Sequence, residues 1–218
     1  MLISPLSLIA AADLSLGKIP DKSSLSQQTL MELFIEGIQN RSPLFSSLEH
    51  PPSAELWDGI QSDSDGTVTR ITWVGLLLQG SVKFMWLPMT TQSVRIIECG
   101  LTGSADLTCL PGSITYVDLS SNAFVGSADL TCLPEKLETL HLTNNQMSGT
   151  VDLTHLPDSL ITLVLQKNRF SGVADFSKLP SKMLWLSVEH TDITGVIKKD
   201  DYPCIRFIGT NNSGVRQL

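Results

Sequence analysis

Four aspartates, Asp106, Asp129, Asp152 and Asp175, stand 23 residues apart in this 218-residue chain, and Lys83 and Lys198 extend the same column at its two ends. Carboxylates repeated at a strand-like spacing of ~4.8 Å repel one another, so something must compensate. Either a row of divalent cations binds there, or each carboxylate accepts backbone N–H groups from its own turn, DLTCLP, DLTHLP or DFSKLP. The capping reading is preferred, because every copy has local donors and isolated carboxylates hold calcium weakly. His141 beside Asp118, with Ser120 nearby, imitates part of a hydrolytic triad, yet no oxyanion donors accompany it. Asp63 and Asp65 lack the rest of a calcium loop. The sequence holds no HExxH, GxSxG, GxxxxGK[ST] or CxxC, and no dinucleotide fingerprint. No catalytic residue, metal ligand or cofactor is therefore assigned, and the chain is read as non-enzymatic. Cys109 and Cys132 share one column with His155 and Lys178. Their backbones fall within disulfide range, but two surface thiols produced by duplication are the preferred reading.

The elements that position these groups are repeats. The stretch Leu137 to Pro157, LETLHLTNNQMSGTVDLTHLP, is nearly rewritten as ITYVDLSSNAFVGSADLTCLP before it and LITLVLQKNRFSGVADFSKLP after it. The same step of 23 aligns Gly80, Gly103, Gly126, Gly149, Gly172 and Gly195, and Pro88, Pro111, Pro134, Pro157, Pro180 and Pro203, without insertion. An unbroken period of this length marks a solenoid, whose units bury their apolar faces only against each other.

Within the unit, Leu140 and Leu142 alternate as a short strand, and Asn145 follows where the chain must leave it sharply. A buried amide there satisfies backbone groups of neighbouring turns. Asn122 and Asn168 repeat it, Cys99, Thr191 and Asn212 continue the column less faithfully, and Leu76 cannot. The pattern LxxLxLxxNxxSG, from Val68 to about Asn212, resembles the leucine-rich-repeat family. The SG and the DLTxLP half are similar to plant-type and kinetoplastid repeats. The resemblance implies an α/β solenoid: a right-handed coil with a parallel β-sheet on its concave face, irregular or short-helical segments outside, and partner binding in place of catalysis. Strands joined by one repeat's return path must in any case be parallel, with a right-handed crossover.

Residues 1–18 read as an apolar arm or a weak signal peptide: Met1 to Ala12 ends in small residues but has no positive start and contains Pro5. Residues 19–67 read as an N-terminal cap. A helix is expected from Ser24 to Asn40, capped by Ser24 or Ser26, then a loop from Arg41 to Ser53. Asp65-Gly66 is a hairpin signal between Ile60 and Val68; with Trp57 it is similar to the caps of leucine-rich-repeat proteins. Residues 68–218 make about seven coils, the last degenerate and slipped by two residues. In the first coil Trp73, Phe84, Met85 and Trp86 suit an end unit covered by a cap.

The net charge of −7 is uneven: residues 1–67 hold nine acids and three bases, residues 68–218 thirteen and twelve. A repeat body without a basic stripe argues against nucleic acid, and no run reaches the ~18 apolar residues of a membrane span. The cytoplasm is slightly favoured over secretion; Asn211-Asn212-Ser213 is a glycosylation sequon only if the chain is secreted. The redox state of Cys99, Cys109, Cys132 and Cys204 is left open, as is the choice between a monomer and part of a hetero-complex.

Recognition is expected on outward sheet positions, which fall in three columns. The first runs Arg70, Ser93, Tyr116, Thr139, Thr162, Trp185 and, after the slip, Arg206; the second Thr72, Arg95, Asp118, His141, Val164, Ser187 and Ile208; the third Val74, Ile97, Ser120, Thr143, Gln166, Glu189 and Thr210. Arg70, Arg95, Tyr116, Asp118, His141, Trp185, Glu189 and Arg206 are the candidate contacts with a protein partner, aromatics and arginines being the types that dominate interface energetics. Alternatives are sideways pairing of Arg95, Asp118 and His141, a structural subunit with contacts elsewhere, and a receptor-like ectodomain for peptide or glycan.

Overall fold

The computed structural model describes residues 21–45, 52–208 and 214–218. The apolar arm, the sequon, Thr210 and Asn212 lie outside them. In chain order the elements are α1 (Gln27–Phe34), β1 (Ile60–Ser62), β2 (Val68–Val74), β3 (Ser93–Ile97), β4 (Tyr116–Asp118), β5 (Val125–Gly126), β6 (Thr139–His141), β7 (Gln146–Gly149), β8 (Thr162–Val164), β9 (Arg169–Val173), β10 (Trp185–Ser187), β11 (Asp192–Ile197), β12 (Arg206–Ile208) and β13 (Gly214–Gln217). Strands β2, β3, β4, β6, β8, β10 and β12 lie side by side in parallel, about six turns of coil linking them, and β1 pairs antiparallel on the first. The slip is real: Trp185 pairs with Arg206 across a step of 21 where Thr162 pairs with Trp185 across 23.

Stacking converts the period into columns of like side chains. Ile71, Val94, Val117, Leu140, Leu163 and Leu186 are fully buried, as are Trp73, Ile96, Leu119, Leu142, Leu165 and Val188 two residues on. Burying such a side chain stabilises by about 1.5–3 kcal/mol. The prolines mark the opposite corner: Pro88, Pro111, Pro134, Pro157 and Pro180 each offer the carbonyl to the N–H three residues on, at 2.9–3.0 Å.

Asparagine closes the turn after β4, β6 and β8. Asn145 donates to the carbonyls of Leu119 (3.0 Å), Leu142 (3.1 Å) and Thr143 (3.3 Å) and accepts from the N–H of Phe124 (3.1 Å). It thus ties its own turn to the preceding rung. Asn168 and Asn122 repeat the arrangement. At the ends the substitutes do part of this: the Cys99 thiol reaches the Trp73 carbonyl of the preceding rung (3.5 Å), and Thr191 donates to Val188 of its own (2.6 Å).

Two expectations change. The helix ends at Phe34 and not at Asn40; Ser26 caps it, accepting from the N–H of Thr29. Ile38 is drawn instead into a bridge with Gly80, whose φ of 89° and contact with the Gly37 carbonyl leave no room for a Cβ. Phe34 stacks on Trp73 at 5.8 Å and meets Phe84 edge-on at 6.1 Å. Trp86 is buried as well. The outer side, expected to be irregular or short-helical, carries 3-10 turns and also a second parallel sheet, β13-β11-β9-β7-β5, formed by the SG halves of the units.

Replacing Asn145 by alanine strands one N–H and three carbonyls in or near the interior. Each such group costs ~1–3 kcal/mol, so a loss of about 3 kcal/mol is expected after partial relaxation, against about 1 kcal/mol for Thr191→Ala. Chemical denaturation of the two variants checks the ranking.

Candidate partner-binding face

The strand register assembles the outward columns from separate repeats. Arg70, Ser93, Tyr116, Thr139, Thr162, Trp185 and Arg206 are successive paired residues, and Thr72, Arg95, Asp118, His141, Val164, Ser187 and Ile208 form the next column. Arg70, Arg95 and Arg206 are exposed, while Tyr116, His141, Trp185 and Glu189 are half-buried. Asp118, however, is only 6% exposed, and Ser187 only 1%. These short side chains lie below longer neighbours, so they support the face more than they present it.

Asp118 shows how. Its carboxylate accepts the Ser120 N–H at 3.1 Å and lies 3.8 Å from His141 Nδ1. Burial raises its pKa, but the nearby His141 ring and the Ser120 hydrogen bond together outweigh that and leave it below the usual carboxylate value. The His141 ring tilts against Tyr116 with centroids 6.2 Å apart, and burial pushes the Tyr116 phenol up, keeping it a proton donor. Farther along, the Arg206 guanidinium lies 5.5 Å over the Trp185 ring, a cation–π contact.

Two shallow hollows open on this face. One, of about 400 Å³, is lined by His141, Thr143, Thr162, Val164, Gln166 and Trp185. The other, of about 390 Å³, is lined by Arg70, Gln92, Ser93, Arg95, Thr115 and Tyr116. Gln92 and Thr115 precede their strands, so the alternation that picks outward strand residues does not reach them; only their shared phase in the repeat marks them.

The aspartate row is occupied by its own turns. Asp106, Asp129, Asp152 and Asp175 each accept the N–H two residues on, at 2.8–3.1 Å, and the first three also accept a threonine hydroxyl at 2.6–2.7 Å. These hydrogen bonds hold all four carboxyls below their ordinary pKa; for Asp129, repulsion from Asp106 and Asp152 is the smallest influence. Lys83, at the end of that column, pairs with Glu36. All four cysteines are free thiols, with Cys109 donating to Asp106 at 3.1 Å.

A depressed carboxyl pKa stabilises the fold above its unfolded value and loses that contribution as pH falls through the folded value. For Asp118 the window therefore lies below pH 3.8. Asp118→Asn should flatten the acid limb of the stability curve there; urea titrations at stepped pH measure that slope.

No protein-family model and no curated protein matches the chain. Solved structures do. A pollen receptor kinase 3 aligns with a TM-score of 0.65 at 21% identity, over 88% of this chain and 95% of that one. The LRR ectodomain of the receptor kinase SOBIR1 from Arabidopsis thaliana aligns at 0.51 and 21%, over 90% and 97%. The plant peptide hormone receptor RGFR1, solved with RGF2, aligns at 0.63 and 20% over 73% of this chain, which spans only 26% of that receptor. At such identities the likeness is one of fold, and with the stacked rungs and asparagine column it makes this chain a leucine-rich-repeat solenoid.

Proposed function

We propose that the chain is a non-enzymatic protein-binding module that seats a partner across its seven parallel strands. The observation that carries this is the pairing of two hollows with half-buried rings, Tyr116 beside one and Trp185 beside the other, on a sheet fixed from behind by fully buried columns. Rings held by a rigid scaffold lose little freedom on association, which is what interface anchors need. Similarity to a plant peptide hormone receptor solved in complex with RGF2 supports the same reading. So does the outer row, whose carboxylates are engaged in their own turns.

Affinity capture from the source cells supplies the partner, and titration against variants locates the contact. Tyr116→Ala and Trp185→Ala are each expected to weaken binding about 10- to 100-fold, as anchor residues do, with the unfolding midpoint little changed. Unaltered affinity in both would move the contact to the five-stranded sheet, where Val173 is 82% and Val196 48% exposed. That second site would fit a subunit of a larger assembly.

A further inference from the structure

The two hollows differ in charge. Arg70 and Arg95 border the first, both exposed, and among the described residues neither has an ion-pair partner. Because Arg70 pairs with Ser93 and Thr72 with Arg95, the two arginines are diagonal neighbours on adjacent strands, about 7–8 Å apart at the backbone. Two guanidinium groups so placed repel until an anion lies between them, and each offers a planar fork that matches a carboxylate. The carboxylate nearest in the sheet, Asp118, is buried and held by Ser120 and His141. The Tyr116 phenol adds a donor on the same rim.

The second hollow is different. Val164, 6% exposed, forms its floor and the Trp185 ring its wall. Arg206 is already stacked over that ring, so the surface left for a ligand is apolar with a polar edge from His141, Thr143, Thr162 and Gln166.

From these contrasts we infer that the partner presents an extended acidic segment, with a carboxylate side chain between Arg70 and Arg95 and a bulky apolar side chain against Val164 and Trp185. The hollows centre on β3 and β8, three strand steps apart through β4 and β6. At ~4.8 Å per step that is roughly 14 Å, and an extended chain rises ~3.3 Å per residue, so the two side chains stand about four residues apart. The segment crosses the strands and does not lengthen the sheet. This inference rests on the binding face proposed above and specifies what that face selects.

The test uses synthetic peptides carrying Asp and Phe four positions apart between varied neutral residues, titrated by fluorescence anisotropy against the full chain. Matched peptides replace Asp by Asn, replace Phe by Ala, or place the pair eight positions apart. The expected result is a loss of about tenfold or more on Asp→Asn. That loss should vanish in the Arg70→Gln/Arg95→Gln variant, and the Phe→Ala loss should vanish in Trp185→Ala. Raising salt should weaken binding of the acidic series alone. Circular dichroism confirms that each variant is folded; all three positions lie outside the buried columns. If Tyr116→Ala and Trp185→Ala weaken peptide binding but Asp→Asn shows no coupling to the arginines, the acidic segment is overturned and the binding face stands. If no variant on this sheet changes the affinity, both fall. If no peptide binds more tightly than about 1 mM, the acidic segment is overturned, while capture of the protein partner still tests the face.

Discussion

Everything in this coil depends on a buried amide that holds two rungs at once. A solenoid gains its stability only from contact between neighbours, and each rung must turn sharply after its strand, leaving carbonyls and N–H groups that point inward. Asn122, Asn145 and Asn168 meet those groups with both ends of one side chain, binding their own turn and the turn before. Apolar residues cannot do this, and leaving the groups unpaired costs more than a leucine in their place returns. The substitutes at the ends fit the rule. Cys99 reaches back to the preceding rung with one weak donor, and Thr191 reaches only its own.

That constraint fits a register that stays strict where the asparagines stand; β2 and β3 keep the same step with Leu76 and Cys99 in the column, so losing the amide permits a slip without forcing one. Between Asn122 and Asn168 a repeat shortened by two residues would pull the amide from its partners. Beyond Thr191 the return path shortens, and β12 still pairs with β10 in register because strand pairing needs only backbone groups. There Tyr202 supplies a different tie, its hydroxyl accepting the N–H of Leu179 at 3.0 Å. The five strained residues after the sheet strands, Glu98, Ser121, Asn144, Lys167 and His190, all have φ of 53–58° and recur every 23 residues. Only the first copy, Gly75, is a glycine. At Ser121, Asn144 and Lys167 the asparagine that follows ties the turn down; at Glu98 and His190 the Cys99 thiol and the Thr191 hydroxyl do so.

The coil and its outward columns were legible in the sequence because a fixed period does the work of alignment. Once the inward direction of Leu140 is known, every residue at the same phase of the repeat must share it, and Val117, Leu140 and Leu163 stack as that phase requires. What depended on contact between segments of unlike sequence was not legible. The end of α1 is decided by the bridge from Ile38 to Gly80, more than forty residues away. The second sheet has no signature of its own because its strands are short and rich in serine and glycine, poor strand formers, and pairing with the next rung is what extends them. Asp118 reads as an outward residue by alternation, which it is, but the lateral packing of Tyr116 and His141 that buries it leaves no mark along the chain.

Charge divides the two sides of the coil. On the outer side the carboxylates of the acidic column are solvated locally by threonine hydroxyls and N–H groups, one repeat at a time, and stay ionised. On the large sheet Asp118 is held under its neighbours while Arg70 and Arg95 reach solvent. A chain of net charge −7 thus exposes two adjacent arginines on its large parallel sheet. Long-range repulsion of an acidic ligand by the whole molecule is screened within about 8–10 Å in physiological salt, whereas the two guanidinium groups act at contact distance. For the acidic segment proposed above, contact with Arg70 and Arg95 would therefore outweigh the molecule's total charge.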